Sequence, residues 1–373
     1  MDCPQKHRVV IIHPSAGVNW SGGTENFSIE ITRYLRQYFD IELLGGHPQI
    51  PCFFPSGGIP RTEAAEMLHS VQPIEALLRK FSTNPDIVIE HITSFVPCVS
   101  RLLKKPADLI FPCNGYGGLA AASFVRLLLG TPILYKSHTG MLGGGKRLAL
   151  DLKFQPDHLV TFSKEIEEFA KKVRPKQAIS IIPNGVDTQK FNSQGERLSL
   201  SLPKPTVLCV ASLNRKGHKR VELAIKAVSQ LPNASLLVCG DGVDRDYYQA
   251  LGEDLLGSSR FSIRTFPFDQ MPTVYRSADV FTLPSLNEPF GNVFVQALAC
   301  GLPIVATDDE LRRFIVGDAG VLCDVTDLDS YANSIDQALK GSFKDKALEN
   351  SRRFSWETVA KSYRDLILSM IKS

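Results

Sequence analysis

Short runs of apolar and β-branched residues recur along the 373-residue chain, with longer amphipathic stretches between them. That alternation is the pattern of a parallel sheet covered by helices on both faces. In the first half the runs are "RVVIIH" (8–13), "DIELLG" (40–45), "DIVIEH" (86–91), "DLIFPC" (108–113), "PILYKS" (132–137), "HLVTFS" (158–163) and "ISIIPN" (179–184), and each is predicted to be a strand. Between the first two, "TENFSIEITRYLRQYF" sets Phe27, Ile31, Tyr34 and Leu35 on one helical face. The pattern lapses over 185–205, "GVDTQKFNSQGERLSLSLPKP", which is polar and rich in turn formers. A fresh series follows with "TVLCVAS" (206–212), "SLLVCG" (235–240), "FSIRTF" (261–266), "DVFTLP" (279–284), "PIVATD" (303–308) and "GVLCD" (320–324).

The fold class is therefore α/β, with two tandem Rossmann-like doubly wound domains. The predicted boundaries are 1–190 and 191–354. The last helix, within 355–373, carries Val359, Tyr363, Leu366 and Met370 on one side and is expected to pack back on the first domain. Ligands of such sheets bind at the carboxyl ends of the strands, so function is expected in a cleft between the two domains.

Composition narrows the classes. A chain of this length suits two cores, and 43% apolar with 22% charged residues describes a soluble globular protein. The net charge of +3 is scattered rather than massed, which excludes duplex nucleic acid as the expected partner. Only Val9 to Ile12 are consecutively apolar ahead of His13 and Pro14, short of a signal-peptide core. No apolar run reaches the roughly 18 residues of a membrane span. The eight cysteines contain no CxxC pair, and Cys209 and Cys239 sit in apolar runs. Buried free thiols in a reducing cytoplasm are expected, with no metal site.

The chemistry falls on loops after strands. "EPFGNVFVQALACG" directly follows "DVFTLP", and Phe294, Ala297, Leu298 and Gly301 share a helical face. A helix is predicted to start near Phe290, with Pro289 where a missing N–H costs nothing and the amides of Phe290, Gly291 and Asn292 free. Such a start holds an anion or a hydroxyl-rich group. Glu288 either complements the helix dipole or serves that ligand, and the neighbouring glycine and strand end add weight to the second. "SLNRKGHKRVELAIKA" gathers Arg215, Lys216, Lys219 and Arg220 before a helix faced by Val221, Ile225 and Val228. Cations there oppose the dipole, so either a diphosphate compensates them or the turn is solvated.

Other stretches leave two readings each. "NWSGGTENF" is an anion cradle at Gly22 and Gly23 or a plain turn. His138 in "YKSHTGMLGGG" is a functional group at a strand end or a structural histidine. "GDGVDRD" lacks the third glycine of a dinucleotide loop, and Asp244 and Asp246 are expected to cap a helix rather than bind metal. "VSRLLKKP" (99–106) is expected to be a solvated helix end ahead of a peripheral membrane contact, and "GGHPQIPCFFPSGGIPRTEAAEM" (45–67), where acceptor contacts are expected, reads as long irregular loops.

Taken together, "EPFGNVFVQALACGLPIVATD", "IIPNGVDTQKF", "HKRVELAIKA", "SGGTENF" and "YKSHTG" resemble the retaining glycosyltransferases of family four, which have the two-domain GT-B fold and use nucleotide-sugar donors. The resemblance covers nearly the whole chain, in order. It implies that Glu288 contacts the donor sugar and that the amides of Phe290 to Asn292, next to Pro289, serve sugar and phosphates. It implies further that Lys219 holds the diphosphate, that Gly22 and Gly23 meet the phosphates, that His138 hydrogen-bonds the transferred sugar, and that Asn184 to Asp187, Gly185 included, shape the donor pocket. Two positions depart from the family. The second acid, which binds both ribose hydroxyls, is Gln296 here; an amide keeps one hydroxyl bond and loses about 1 kcal/mol of charge-assisted strength. The usual phosphate-binding arginine is absent at Ser212 or Asn214, and Arg215 is expected to substitute.

The implied reaction moves a sugar from a UDP-, GDP- or dTDP-sugar to an acceptor hydroxyl of a sugar, lipid or small molecule. Retention would follow from front-face attack, without metal or cofactor, which agrees with the lack of a carboxylate pair at glycosidase spacing. A sugar-nucleotide epimerase or phosphorylase of the same fold, and a non-catalytic sugar-nucleotide-binding subunit, are the alternatives.

Overall fold

Val9, Val10, Ile11 and Ile12 are all fully buried, as a strand flanked by helices on both faces requires. They form β1 (Arg8–Ile12), at the centre of the first sheet. The structure, a computed structural model, describes residues 6–18, 22–46, 52–71, 73, 85–113, 115 and 117–372. The chain divides into two compact units, Met1–Pro183 with Val359–Ser373, and Asn184–Thr358.

In the first unit, β2 (Asp40–Gly45) and β4 (Leu109–Pro112) flank β1 in parallel, with Arg8 opposite Asp40 and Val9 opposite Leu109. β3 (Phe53–Pro55) completes the order β3-β2-β1-β4. β5 (Leu134–Lys136), β6 (His158–Thr161) and β7 (Ala178–Ile181) form a second parallel group, joined to the first through the bridge of Ile110 with Ile133.

The second unit is one parallel sheet. Its strands are β8 (Thr206–Val210), β9 (Ser235–Cys239), β10 (Phe261–Arg264), β11 (Val280–Leu283), β12 (Ile304–Thr307) and β13 (Gly320–Cys323). Their order, β10-β9-β8-β11-β12-β13, is that of a doubly wound dinucleotide fold. It reverses between β8 and β11, and the loops leaving those two strands are the ones rich in candidate residues.

Three expectations need correction. Residues 86–91 are helical, inside Pro85–Lys104. The run "DIVIEH" is β-branched, but Glu90, Ser94, Cys98 and Leu102 are buried at four-residue spacing, and Pro85 takes the first helical position. Val99 and Leu102 of "VSRLLKKP" are buried in that helix, and Lys104 and Lys105 end it in solvent. β3 and the helix Arg61–Ser70 occupy part of 45–67, where only irregular loops were expected. In the last helix, Trp356–Ile371, the buried face is Trp356, Val359, Ala360, Tyr363 and Ile367, whereas Leu366 and Met370 are half-exposed.

Candidate functional site

The loop after β8 is built by backbone ties rather than by a core. Leu213 is fully buried; its N–H donates to Asp241 O, and its carbonyl accepts from Asp244 N. Asn214 closes a tight turn, its side chain accepting from Lys216 N and its carbonyl from Gly217 N. The loop ends at Arg220, a non-glycine residue at φ 52°. A left-handed side-chain-bearing residue is unfavourable alone. Here the Arg220 guanidinium holds it, donating to Pro284 O at 2.7 Å and to Thr307 Oγ1 at 3.3 Å. The helix Val221–Ser229 starts at the next residue, with Val221, Ile225 and Val228 buried as expected.

That turn brings His218 and Lys219 onto Glu288, 69 residues downstream of the lysine. Lys219 Nζ lies 2.5 Å and His218 Nε2 3.3 Å from Glu288 Oε2, and the two loops are tied by Leu286 N donating to His218 O. At its other end the Glu288 carbonyl accepts from Arg312 Nη1 at 3.3 Å. Arg312 is itself 2% exposed and ion-paired with Asp309. The Glu288 side chain is 8% exposed. Burial alone would raise its carboxyl, but the neighbouring His218 imidazole and the Lys219 ammonium outweigh burial and bring it down from 4.5 to about 2. Glu288 is an ionised carboxylate, held at a fixed place with Lys219 and His218 against its Oε2.

The helix after this loop spans Asn292–Ala299, two residues later than predicted, so Pro289 and Phe290 stand outside it. The cause is Gly291, at φ 81°, which serves as the N-cap in a conformation no helix continues. A Cβ there would meet the Phe294 ring at 2.6 Å and Glu288 Cγ at 3.0 Å. Phe290 is buried, its ring 6.2 Å from Phe354. Asn292 Oδ1 accepts from Asn184 Nδ2 at 2.9 Å, so the segment after β7 reaches this helix start. Asn184 is buried, and its own Oδ1 has no hydrogen-bond partner. Gly185 lies against the Trp356 indole, which leaves no room for a Cβ. Gln296, one turn beyond Asn292, accepts from Tyr275 Oη at 3.0 Å through Oε1.

The remaining expected residues lie elsewhere. The Arg215 guanidinium stands 3.8 Å above the Tyr247 ring, and the backbone N–H of Arg215 donates to Asp244 Oδ2. Asp244 occupies the N-cap position of the helix Arg245–Leu256 but makes no side-chain cap bond, so the expected capping role fails because the Arg215 amide takes the carboxylate. Among the described residues no cluster of three metal-ligand side chains occurs.

In the first unit, Gly22 caps the helix Gly23–Leu35, and a Cβ there would overlap the Glu25 carboxylate. The rest of that loop, residues 19–21, lies outside the described residues. His138 follows β5, its ring edge-on to Phe27 at 4.8 Å and to Phe162 at 6.0 Å, with Nε2 buried and unpartnered. Burial first, then Lys136 and His13, pushes its pKa well below 6.5, so its imidazole is neutral. Lys136 is fully buried, donating to Ile182 O at 2.6 Å and standing 3.8 Å from the Phe162 ring centre.

Sequence reasoning missed His218 and Arg312. His218 sits beside Lys219 in "KGHKR", where the run of cations drew attention away from the imidazole. Arg312 follows the Asp309 N-cap, a signal for a helix start rather than for a ligand.

Two family models cover the chain: "Glycosyl transferases group 1" matches residues 192–354 and "Glycosyltransferase Family 4" residues 21–190. The phosphatidyl-myo-inositol mannosyltransferase of Mycolicibacterium smegmatis is 34% identical, over 91% of this chain and 88% of its own. The lipopolysaccharide core biosynthesis glycosyltransferase LpsE of Rhizobium meliloti is 29% identical over 57% of this chain, and the match spans 64% of that relative. The sucrose-phosphate synthase of Thermosynechococcus elongatus superposes with a TM-score of 0.74 at 18% identity, covering 98% of this chain and 100% of that one. With both halves matched in order and a relative aligned nearly end to end, the chain belongs to glycosyltransferase family 4 and is a glycosyltransferase of the GT-B type, a class that acts on nucleotide sugars.

Proposed function

We propose that this chain transfers a sugar from a nucleotide-diphosphate sugar to an acceptor hydroxyl, with retention at the anomeric carbon and without a metal. One observation carries the reading: Lys219, His218 and Glu288 meet at the loops after β8 and β11, where the strand order of the second sheet reverses.

Breaking the anomeric C–O bond leaves negative charge on the diphosphate, and catalysis needs positive charge already in place there. Lys219 supplies it, with the amides at the Asn292 helix start as neutral donors; Arg215, stacked on Tyr247, would have to leave that ring to serve as a second cation. The ionised Glu288 accepts hydroxyl bonds from the donor sugar, and Arg312 fixes the backbone that carries it. Asn184, Gly185, Pro289, Phe290 and Gly291 shape the walls of the donor site. Gln296 contacts the ribose, and Gly22 and Gly23 approach the phosphates. His138, neutral and with Nε2 unpartnered, hydrogen-bonds the transferred sugar. The acceptor's proton passes to the leaving phosphate, so no further general base is needed. Family relatives whose names include inositol lipids and lipopolysaccharide core support an acceptor rich in hydroxyls.

No helix among the described residues is long and apolar enough to cross a membrane. The described cysteines are free thiols, which suits a reducing compartment, and we place the reaction in the cytoplasm.

Incubation with UDP-, GDP- and dTDP-sugars, following release of the diphosphate and product anomericity by NMR, tests the reading. Turnover in EDTA with an unchanged anomeric configuration is expected. An inverted product, or neither binding nor turnover with any donor, overturns it.

A further inference from the structure

A cavity of about 400 Å³ opens in the second unit, at the end of its sheet away from the candidate donor loops. Its walls include Ala278 and Asp279, which precede β11, and Leu302 and Pro303, which precede β12. The loops that carry Lys219 and Glu288 leave the opposite, carboxyl ends of β8 and β11. The helix Asn292–Ala299 runs from one end to the other: Asn292 opens it on the Glu288 side, and Cys300 and Gly301, just past its last residue, line the cavity. Ligand pockets run from roughly 300 to 1,000 Å³. This one has the size for a small metabolite, not for a nucleotide sugar.

Three cations, Arg197, Arg276 and Lys344, line the same space. Arg276 is partly used, its Nε donating to Glu196 O at 2.7 Å and its Nη1 to Asn192 O at 3.4 Å. Arg197 and Lys344 are exposed, and among the described residues neither makes a hydrogen bond or an ion pair. Two acids share the walls, and each is answered elsewhere. Asp279 accepts from Lys204 Nζ at 2.9 Å and from Thr206 N at 2.7 Å. Asp345 lies in the first turn of the helix Lys344–Ser351, where the dipole favours an acid. Lys344 stands in that same turn against the dipole, and the N-cap Phe343 offers no side-chain acceptor, so the first amides remain donors. An anion would relieve both. Helix C-termini attract cations as well, and two helices end at this cavity. In Asn292–Ala299 the carbonyls of Gln296, Ala297 and Leu298 already accept from the N–H groups of Cys300, Leu302 and Gly301. The other, Leu328–Lys340, has Lys340 in its own last turn. Neither accounts for Arg197 and Lys344.

We propose that this cavity binds a phosphate dianion, free or carried by a small phosphate monoester, through Arg197, Arg276 and Lys344. A guanidinium meets two phosphate oxygens at once, and an ammonium adds a compact point charge. Leu302, Pro303 and Phe343 supply apolar wall for the carbon skeleton of an ester. None of the residues assigned to the donor lines the cavity, so the inference does not depend on the donor chemistry.

Isothermal titration of the full chain tests it, with glycerol 3-phosphate, inorganic phosphate and, as a neutral control, glycerol. Both phosphates are expected to bind and glycerol is not. Tighter binding of glycerol 3-phosphate identifies an ester as the ligand, and equal binding identifies free phosphate. Arg197→Gln with Lys344→Gln should weaken binding at least about tenfold, the loss expected when charge-assisted bonds are removed. Its thermal melt should match the parent, because neither side chain has a partner in the fold; where the pair lowers the melt, each single variant reads the same loss. A phosphate held by the donor loop instead would respond to Lys219→Gln, which is expected to keep the binding that the first variant loses. No binding of either phosphate, binding indifferent to Arg197 and Lys344, or binding abolished by Lys219→Gln overturns the proposal.

Discussion

Glu288 is the residue on which most forces converge. Its carboxyl is held near 2, well below its ordinary 4.5, and the sign of the consequence follows from linkage. A carboxyl depressed in the folded state contributes stability that is fully present above 4.5 and is lost as pH falls toward 2. The lowering corresponds to about 3 kcal/mol, an order of magnitude only. Glu288→Gln should therefore melt below the parent at neutral pH, and calorimetry should show the gap closing as pH falls through that window. In transfer assays the same variant should lose about two orders of magnitude in kcat, as expected when a preorganised charge is removed. Gln296 supports the opposite kind of test. Its Oε1 accepts from the buried Tyr275 hydroxyl, whose pKa burial raises well above 10, so Tyr275 remains a donor throughout the usable pH range. A carboxylate can accept that bond too. Gln296→Glu is expected to tighten nucleotide-sugar binding about fivefold, read by isothermal titration, with kcat little altered.

At the scale of elements, the site depends on left-handed residues: Asn287 directly before Glu288, and Arg220 and Gly291, the last two each ending a loop where a helix begins. Gly291→Ala would combine an unfavourable φ with a Cβ pressed on Phe294 and Glu288. A loss of about 1–3 kcal/mol in chemical denaturation is expected. A larger proportional rise in KM than fall in kcat should accompany it, since the loop carrying Glu288 shifts while its charge remains. The same two residues show what a sequence can and cannot disclose. Buried parallel strands are legible because β-branched runs bounded by turn formers have few other uses, and β2 starts and ends at the positions read from "DIELLG". "DIVIEH" misleads because a short apolar run fits either period, and only the helix partners of Glu90 and Ser94 decide between them. Glu288 and Lys219 stand out by their loop chemistry. His218 and Arg312 do not, because their roles come from contacts across 70 and 24 residues of chain that no local pattern encodes. The late start of the Asn292 helix was in principle readable, since glycine after phenylalanine marks a cap as easily as a first turn.

At the scale of the whole molecule, the chain returns to its beginning. The first unit is made of Met1–Pro183 together with Val359–Ser373, so its core needs segments far apart in the chain. Tyr363 is fully buried there, its ring 5.4 Å from Phe111 and 5.9 Å from Phe27, and Val359 and Ile367 are buried beside it along the same helical face. Phe27 lies on the helix that Gly22 caps, and it also packs against His138. The C-terminal helix thus supports the shell of the residue proposed to bond the transferred sugar, without supplying any polar group to it. Removing Val359–Ser373 would expose those apolar side chains' partners at a cost on the order of 5 kcal/mol, confined to the first unit. Hydrogen exchange on the truncated chain should show protection lost in β1, β4 and the helix Gly23–Leu35, with β8, β9 and β11 unchanged. Loss of protection in both units alike would mean that the last helix stabilises the molecule as a single cooperative body. A milder variant, Tyr363→Leu, keeps the helix but removes the ring stack on Phe111. It should lower the first unit's melting by a few degrees and weaken transfer, while nucleotide binding by the second unit stays at the parental level.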